Sequence, residues 1–493
     1  MRRWPESRPG ARLVRSLGLG LTLLLAANCA APGPSPPDPE DERPWNVLLL
    51  CVDDLRPELA SFGVDYIESP HIDRLASESR AFTRHYVQAP TCGASRYALL
   101  TGRYADAGGS RGNNALVQRA EAEGDVPPTL PGVFRDAGYT TVSIGKVSHH
   151  PGGRYGEGWN DPAKIELPGA WTRHSMPAGE WGTPRGTMHA LAAGHVRKAG
   201  VTPALESFDG PDESYPDGLV ARDALAELER LAGQAEPFLL AVGFIRPHLP
   251  FGAPARYMQP YEGIELPPIP QPQTPAGRTT WHRSGEFFGQ YVHGERDPRS
   301  DAAYADELRR HYAACVTYVD ALVGRVLARL EQLDLARNTV VVLWGDHGWH
   351  LGEHSIWGKH ALFEESLRSP LIVRAPGLAR PGVHSDAVVE TIDVFPTLCE
   401  LTGVAPPPEL DGSSLGPQLA RPAEEGDSAV AYRHGAETIR TDRYRLIRHV
   451  EDGATAHVEL YDHTAPAAET ENVAAAAPEV VERLLERLAA RLR

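Results

Sequence analysis

The sequence predicts an α/β fold with a large, mainly parallel sheet covered by helices on both faces. Two observations carry this. Short continuous apolar runs recur along the chain, as strands buried on both faces require. Stretches with helical spacing lie between them, the alternation that builds a parallel sheet. A third observation bears on function. Several apolar runs end directly in charged or imidazole side chains. Ligands of open α/β sheets bind beyond the carboxyl ends of strands, so these ends are expected to meet in one crevice.

The first run, Asn46 to Val52, stops at Asp53-Asp54. Helical patterns follow over 72–78 and, after Cys92, over 96–100. Residues 140–144 form the second strand, ending at Gly145-Lys146. A helix over 221–232 precedes the third strand, 238–245, which ends at Arg246-Pro247-His248. A long helical pattern covers 302–332. The fourth strand, 339–344, ends at Gly345-Asp346-His347. No internal repeat is present. Beyond residue 405, Pro406-Pro407-Pro408 and Asp411-Gly412 interrupt the chain, and short strand-like runs follow at 428–432, 444–449 and 457–461. Pro478 opens a last helix with Val481, Leu484, Leu485, Leu488 and Leu492 on one face. The expected organisation is a main domain over 45–405 and a smaller C-terminal α+β subdomain over 406–493, containing an antiparallel sheet.

The N-terminus reads as an export signal over residues 1–30. Arg2, Arg3, Arg8, Arg12 and Arg15 precede an apolar run from Leu17 to Ala27, too short to span a bilayer. Cys29 follows Leu25-Ala26-Ala27-Asn28, similar to a bacterial lipoprotein cleavage box, although Asn28 replaces the usual small residue. Residues 31–44, Pro-rich and acidic, read as a linker. The expected location is outside the cytoplasm: periplasmic, secreted, or an outer-membrane lipoprotein. Membrane contact is expected only through a lipid on Cys29.

Composition removes other classes. The 493 residues are 42% hydrophobic and 23% charged, ordinary globular usage, with 47 Gly and 44 Pro. Asp and Glu total 65 against 49 Lys and Arg, a net charge of −16, which argues against nucleic acid as a partner. The five cysteines form no CxxC pair. Cys51, Cys315 and Cys399 sit in apolar or helical patterns and read as buried small hydrophobes. Cys92 sits in a polar loop, where burial explains it poorly.

Asp53-Asp54 places two adjacent carboxylates at a strand end, an arrangement that a cation or a bound proton must relieve. With Asp346-His347 at another strand end, a hard-cation site for Ca²⁺ or Mg²⁺ emerges, His347 being its unusual member. His347, His350 and His354 would line one face of a helix and could bind zinc there, but Gly348, Trp349 and Gly352 argue for a loop. Gly108-Gly-Ser-Arg-Gly112 matches a nucleophile elbow by letters only, because no apolar strand precedes it. Cys92 stands before a helix, four residues ahead of Arg96. Both features would lower a thiol pKa, so an ordinary cysteine nucleophile is conceivable.

Cys92-Gly-Ala-Ser-Arg96 followed by Leu100-Thr-Gly-Arg103 resembles the signature of the type I sulfatases, in the alkaline phosphatase superfamily. Gly145-Lys-Val-Ser-His149, Arg246-Pro-His-Leu-Pro-Phe251, Gly345-Asp-His-Gly-Trp349, Leu351-Gly-Glu-His354, Lys359, Asp393–Leu398, Asp411–Leu415 and Glu459–Asp462 also fit, in order. The Pro-His-x-Pro-Phe and Asp-His-Gly-Trp forms are most similar to the iduronate-2-sulfatase branch. The resemblance implies an alkaline phosphatase-like fold and a sulfuric ester hydrolase acting on sulfated carbohydrate. It implies that Cys92 is oxidised to formylglycine by a formylglycine-generating or anaerobic sulfatase-maturing enzyme; Ala94 leaves open which. The hydrated aldehyde offers one hydroxyl to attack sulfur and a second to expel sulfate, a covalent route with its own release step.

By the same resemblance, Asp53, Asp54, Asp346 and His347, with residue 92, hold a divalent metal, Ca²⁺ rather than Mg²⁺. Arg96 fixes the formylglycine hydroxyl, and Lys146 and Lys359 hold sulfate oxygens. His149 is the base and His248 the acid. The adjacent His150 leaves the base open between positions 149 and 150. Two other functions compete. One is a phosphodiesterase or phosphonate monoesterase on the same fold. The other is a lipoprotein that binds sulfated glycans without turnover, which requires Cys92 to stay a thiol. Loops over 151–210 and 253–299, with Trp159, Trp171, Trp181 and Trp281, either line a sugar cleft or simply anchor themselves.

Overall fold

The strands at the centre follow directly from the apolar runs. The computed structural model describes residues 44–105, 111–118, 128–151, 166–465 and 469–492. The export segment, Cys29, nearly all of the linker, the centre of the elbow match and Trp159 lie outside the described residues. In chain order the strands are β1 (Asn46–Val52), β2 (Arg80–Tyr86), β3 (Thr140–Gly145), β4 (Arg173–Ser175), β5 (Leu205–Phe208), β6 (Phe238–Phe244), β7 (Phe251–Pro254) and β8 (Thr339–Gly345). Then come β9 (His350–Leu351), β10 (Trp357–Gly358), β11 (Leu371–Arg374), β12 (Ser385–Glu390), β13 (Ala429–Arg433), β14 (Ala436–Arg440), β15 (Tyr444–Glu451) and β16 (Ala454–Asp462).

Eight of them form one sheet in the order β12-β2-β11-β8-β1-β6-β3-β4. Every neighbouring pair is parallel except those made by β11, which runs against both β8 and β2. The mainly parallel α/β sheet expected from the sequence is therefore present, with one reversed strand. All seven residues of β1 are buried, and they alternate between two core layers. Leu48, Leu50 and Val52 pack with the helices Pro216–Ala232 and Ala302–Gln332. Val47, Leu49 and Cys51 face the opposite layer, which holds the helices Leu130–Asp136 and Val394–Thr402. Burial on both faces removes the polar alternation, which is why the run reads as continuous.

The C-terminal strands β13 to β16 form an antiparallel sheet in sequence order. Leu484 and Leu488 of the helix Pro478–Arg491 bury against its Val430, Ile439, Leu446 and Leu460, with Val481, Leu485 and Leu492 partly covered. Tyr432 N donates to the Gln88 carbonyl at 2.8 Å, and Val430 N donates to Glu390 Oε1 at 2.7 Å. These bonds fasten the small sheet to the large one, and the described residues form one compact unit.

Several strands were not predicted: β2, β4, β11 and β12 of the large sheet, β14 of the small one, and the short strands β5, β7, β9 and β10. In β2 the pattern Arg-Ala-Phe-Thr-Arg-His-Tyr hides an interior strand, next to the edge strand β12. Its Arg80 is fully buried, donating to the carbonyls of Ala379 at 2.7 Å and Leu419 at 3.0 Å. A buried guanidinium capping loop carbonyls breaks the apolar signal without breaking the strand.

Candidate active site

The carboxyl ends of β8, β1, β6 and β3 are neighbours in the sheet. Backbone pairing continues one residue past each strand. Asp346 N donates to Val52 O at 3.1 Å, Asp53 N to Phe244 O at 3.2 Å, and Lys146 N to Gly243 O at 2.8 Å. The sheet register thus delivers Asp53, Lys146 and Asp346 side by side. The approach at Lys146 needs two glycines. Gly145 adopts φ 76°, and a Cβ on Gly243 would lie 2.1 Å from the Lys146 carbonyl. Asp54 turns away in the left-handed region, φ 58°, held by Asp54 N donating to Asp346 Oδ1 at 2.9 Å. Tyr312 Oη donates to the Asp54 carbonyl at 2.9 Å. A non-glycine residue at that φ is strained and persists where its surroundings over-determine it.

The helix Cys92–Thr101 points its N-terminus at these strand ends, with Thr91 as the extended N-cap. Gly93 permits a close crossing: its N–H donates to Asn113 Oδ1 at 3.1 Å, and a Cβ there would stand 2.2 Å from the Asn113 carbonyl. Cys92 is 3% exposed. Lys359 Nζ donates to its Sγ at 3.3 Å, and His347 Nε2 lies 3.3 Å from the same sulfur. His347 Nδ1 donates to Gly348 O at 2.9 Å, so Nε2 is the bare nitrogen and the thiol is the donor.

Three buried cations face three buried carboxylates. Arg96 reaches Asp346 Oδ2 at 2.9 Å and Asp53 Oδ1 at 3.2 Å, and donates to Val147 O at 3.0 Å. Lys146 Nζ pairs with Asp53 Oδ2, and Lys359 Nζ meets Asp54 Oδ1 at 2.8 Å. His248 Nδ1 donates to Leu249 O at 2.7 Å, which leaves Nε2 facing Glu286 at 3.5 Å and Asp54 at 3.8 Å.

Burial would raise Asp53, but Lys146, His248 and Arg96 hold it well below the usual carboxylate range. Burial pushes Asp54 well up despite Lys359, and raises Asp346 to about 7, aided by Asp53 and opposed by Arg96. His149, His248 and His347 are all held well below the ordinary imidazole value, first by burial and then by the nearby lysines. The expectation of an acidified Cys92 thiol is overturned. Burial and then Asp53 push it well above its ordinary value, outweighing Lys146 and Lys359, and Arg96 is spent on the two aspartates.

Two overlapping groups, Asp53-Asp54-Cys92-His248 and Asp53-Cys92-Asp346-His347, each bring one donor atom per residue within 4.8 Å of the others. Carboxylate oxygens dominate this set, and Asp54 and Asp346 stay raised despite three cations. These residues therefore fit a hard divalent ion, which would take the place of the protons that Asp54 and Asp346 retain.

Above them opens a cavity of about 490 Å³, lined by Cys92, His149, His248 and Lys359. Every site residue expected from the sequence lies in or directly beneath this cavity. His150 does not line it: its Nε2 lies 2.9 Å from Asn114 Oδ1. Glu286, Arg185 and Arg197 also line the cavity, and none was predicted. The His189 ring, also unpredicted, lies 3.9 Å from that of His248. Arg197 and His189 come from loops, Arg185 from the short helix Pro184–Thr187 and Glu286 from the short helix Gly285–Gln290, and no periodicity or motif marks them. Trp171, Trp181 and Trp281 do not line the cavity. Trp181 and Trp281 anchor their loops, donating to the carbonyls of Leu191 at 2.9 Å and His354 at 2.7 Å. His347, His350 and His354 share no helix face, since they span a loop, β9 and a 3₁₀ turn.

The Sulfatase family model matches residues 45–404, and the model described as N-sulphoglucosamine sulphohydrolase, C-terminal, matches 352–493. Human iduronate 2-sulfatase is 32% identical over 84% of this chain and 78% of its own length. A sulfatase of Formosa agariphila is 30% identical over 90% of this chain and 85% of its own. Among solved structures, a phosphonate monoester hydrolase from Silicibacter pomeroyi superposes with a TM-score of 0.70 at 26% identity, covering 90% of this chain and 94% of the other. Both the length of the match and the strand-end geometry lead to one conclusion: the chain belongs to the sulfatase family.

Proposed function

We propose that the protein is a sulfuric ester hydrolase that removes sulfate from a sulfated carbohydrate, with Cys92 matured to formylglycine and Ca²⁺, in preference to Mg²⁺, beside it. One observation carries this reading: Cys92, three buried carboxylates and three buried cations converge on one cavity floor. When present, the ion supplies Lewis-acid polarisation and the formylglycine supplies the attacking oxygen. Asp53, Asp54, Asp346 and His347 are the ion's ligands. Arg96, locked by Asp53, Asp346 and the Val147 carbonyl, steadies residue 92. Lys146 and Lys359 hold sulfate oxygens and offset the charge that develops on them.

His248 is the proton donor to the leaving alkoxide, through Nε2. Its buried ring is neutral before substrate arrives, and an anionic sulfate ester beside it favours the charged form. His149 is the base that acts on residue 92; its place on the cavity wall and the Asn114 contact of His150 support that choice. A polar wall that includes Arg185, Arg197 and Glu286 suits a charged sugar, and the iduronate 2-sulfatase relative points the same way. Export, with or without a lipid on Cys29, is part of this reading and rests on the basic and apolar N-terminal pattern. Maturation by a formylglycine-generating or anaerobic sulfatase-maturing enzyme is the remaining partner.

The test combines two measurements on one preparation. Mass spectrometry of the tryptic peptide ending at Arg96 is expected to show a loss of about 18 Da, thiol to aldehyde. The same material is expected to release sulfate from defined sulfated mono- and disaccharides, to lose this with a chelator, and to regain it with Ca²⁺. Modified protein that releases no sulfate from any sulfated sugar or aryl sulfate would sink the proposal. Intact thiol throughout native material would favour a glycan-binding lipoprotein. The Silicibacter pomeroyi neighbour supports a second reading, phosphonate or phosphate diester hydrolysis at the same site. Aryl sulfate and aryl phosphonate assayed side by side separate the two by their rates.

A further inference from the structure

A second convergence of donors lies outside the cavity. His350, His354 and Glu365 each bring one donor atom within 4.8 Å of the others. Glu365 Oε2 lies 3.5 Å from His350 Nε2 and 3.7 Å from His354 Nε2. Both rings are fully buried. Neither separation makes a hydrogen bond, and Glu365 Oε2, His350 Nε2 and both ring nitrogens of His354 have no hydrogen-bond partner among the described residues. Buried polar atoms are seldom left so, and each such case needs a cause.

We propose that His350, His354 and Glu365 bind a transition-metal ion of the Zn²⁺ class, at a structural site separate from the cavity. The spacing fits. A tetrahedral ion with bonds of about 2.0–2.1 Å holds its ligand atoms about 3.3 Å apart. The orientation also fits. His350 Nδ1 lies 3.2 Å from the Gly358 carbonyl and 2.9 Å from Ser366 Oγ, so Nδ1 carries the proton and Nε2 is bare.

His354 is fixed at both ends of its backbone: its N–H donates to Gln271 O at 2.8 Å, and its carbonyl accepts from Trp281 Nε1 at 2.7 Å. It sits in the left-handed region, φ 55°, a strained state for a side-chain-bearing residue. The Phe363 ring, 4.5 Å from that of His354, forms an apolar wall. Glu365 keeps 19% of its side chain exposed while Oε2 is buried, so the group lies close beneath the surface on that side.

The donor set decides the metal. Two imidazoles and one carboxylate suit Zn²⁺ over Ca²⁺, the reverse of the aspartate-rich cavity. A third group, Glu364, His463 and Glu469, also converges, but Arg440 and Arg445 already satisfy its carboxylates, and it carries no such inference. The ion would pin the β9–β10 hairpin, whose next residue is Lys359, to the short helix Glu364–Leu367.

The full chain, stripped with a chelator, is titrated with Zn²⁺ in saturating Ca²⁺, and bound metal is counted after desalting. One tight zinc equivalent is expected for the native protein and equally for Asp346→Asn. His354→Gln and Glu365→Gln are expected to lose it. Ser366→Ala, which keeps all three ligands, is expected to bind it about 10–100-fold more weakly. Zinc is expected to raise the thermal midpoint of the native protein and not that of His354→Gln. If the ligand variants do not fold, the Ser366→Ala shift and the native stoichiometry decide. No zinc bound in the presence of Ca²⁺, loss of zinc in Asp346→Asn, retention in His354→Gln, or unchanged affinity in Ser366→Ala would each overturn the proposal.

Discussion

Two buried charge clusters in this molecule use the same ingredients to opposite ends. At the junction with the C-terminal sheet, Glu364 and Glu469 meet Arg440 and Arg445. Arg445 Nη2 lies 2.6 Å from Glu364 Oε2, and its Nε pairs with Glu469 Oε1. Tyr86 Oη donates to Glu364 at 2.7 Å, and Glu364 N donates to Glu469 at 2.6 Å. Burial would raise both acids, yet Arg440 and Arg445 hold Glu364 far below its ordinary value. Arg445 and His463 bring Glu469 to about 2. At the cavity floor, three cations also face three carboxylates, but Asp54 and Asp346 end up raised. The junction is electrostatically finished and closed. The cavity is unfinished and open, the condition of a site that still has to receive a cation and an anion. Buried charge alone does not mark a catalytic centre; the unmet remainder does.

Four experiments break or sharpen this contrast. The largest effect is expected at Cys92→Ala, which removes the reacting side chain and is expected to cut steady-state sulfate release by about a thousandfold or more, with folding retained. Activity near the native level would mean that the cavity works without residue 92. Next, Arg445→Met leaves two junction carboxylates buried without their main partner. Denaturant unfolding is expected to show a loss of about 3–5 kcal/mol. The kcat of the folded fraction is expected to be unchanged, and a selective kcat loss would tie the junction to catalysis.

Lys359→Met is expected to reverse that pattern, lowering kcat by about 100- to 1000-fold through lost stabilisation of the sulfate oxygens. The smallest effect concerns pH. A divalent ion must displace the proton that Asp346 retains up to about pH 7. Asp54, also raised, must give up its proton too, so Ca²⁺ affinity is expected to fall by about tenfold per unit or more as the pH drops below that value. Calorimetric titration across pH 5–8 reads this directly, and a pH-independent affinity would show that Asp346 is not a ligand.

Part of the site was legible because its residues sit where apolar runs stop, and the roles of Lys146, His149, His248 and Lys359 were legible only through the resemblance to the sulfatase signature. Asp53, Lys146, His248 and Asp346 each follow a strand buried on both faces, so the end of hydrophobicity marks the rim of the sheet. Cys92 and Arg96, one helical turn apart, were marked by local spacing. Other features were not legible for definite reasons. Arg80 masks β2, because a guanidinium buried among backbone carbonyls looks like a surface residue in the sequence. The thiol shift at Cys92 was misjudged because burial, invisible in a linear pattern, outweighs the helix terminus and the lysines. His189 reaches the cavity from a loop and Glu286 from the six-residue helix Gly285–Gln290, both placed by tertiary contacts rather than by periodicity.

The sheet order has a kinetic consequence. Asp54 and Asp346 touch across 292 positions of chain, and Cys92 and Lys359 across 267. Contacts of such long range must wait for large loops to close, which slows folding and leaves them among the last to form. Competence for chemistry therefore arrives only when β1 and β8 have zipped together, and a nascent or partly folded chain is inert. Recovery of turnover on refolding should lag behind recovery of helical signal, which makes the reaction itself a reporter of the final step of assembly.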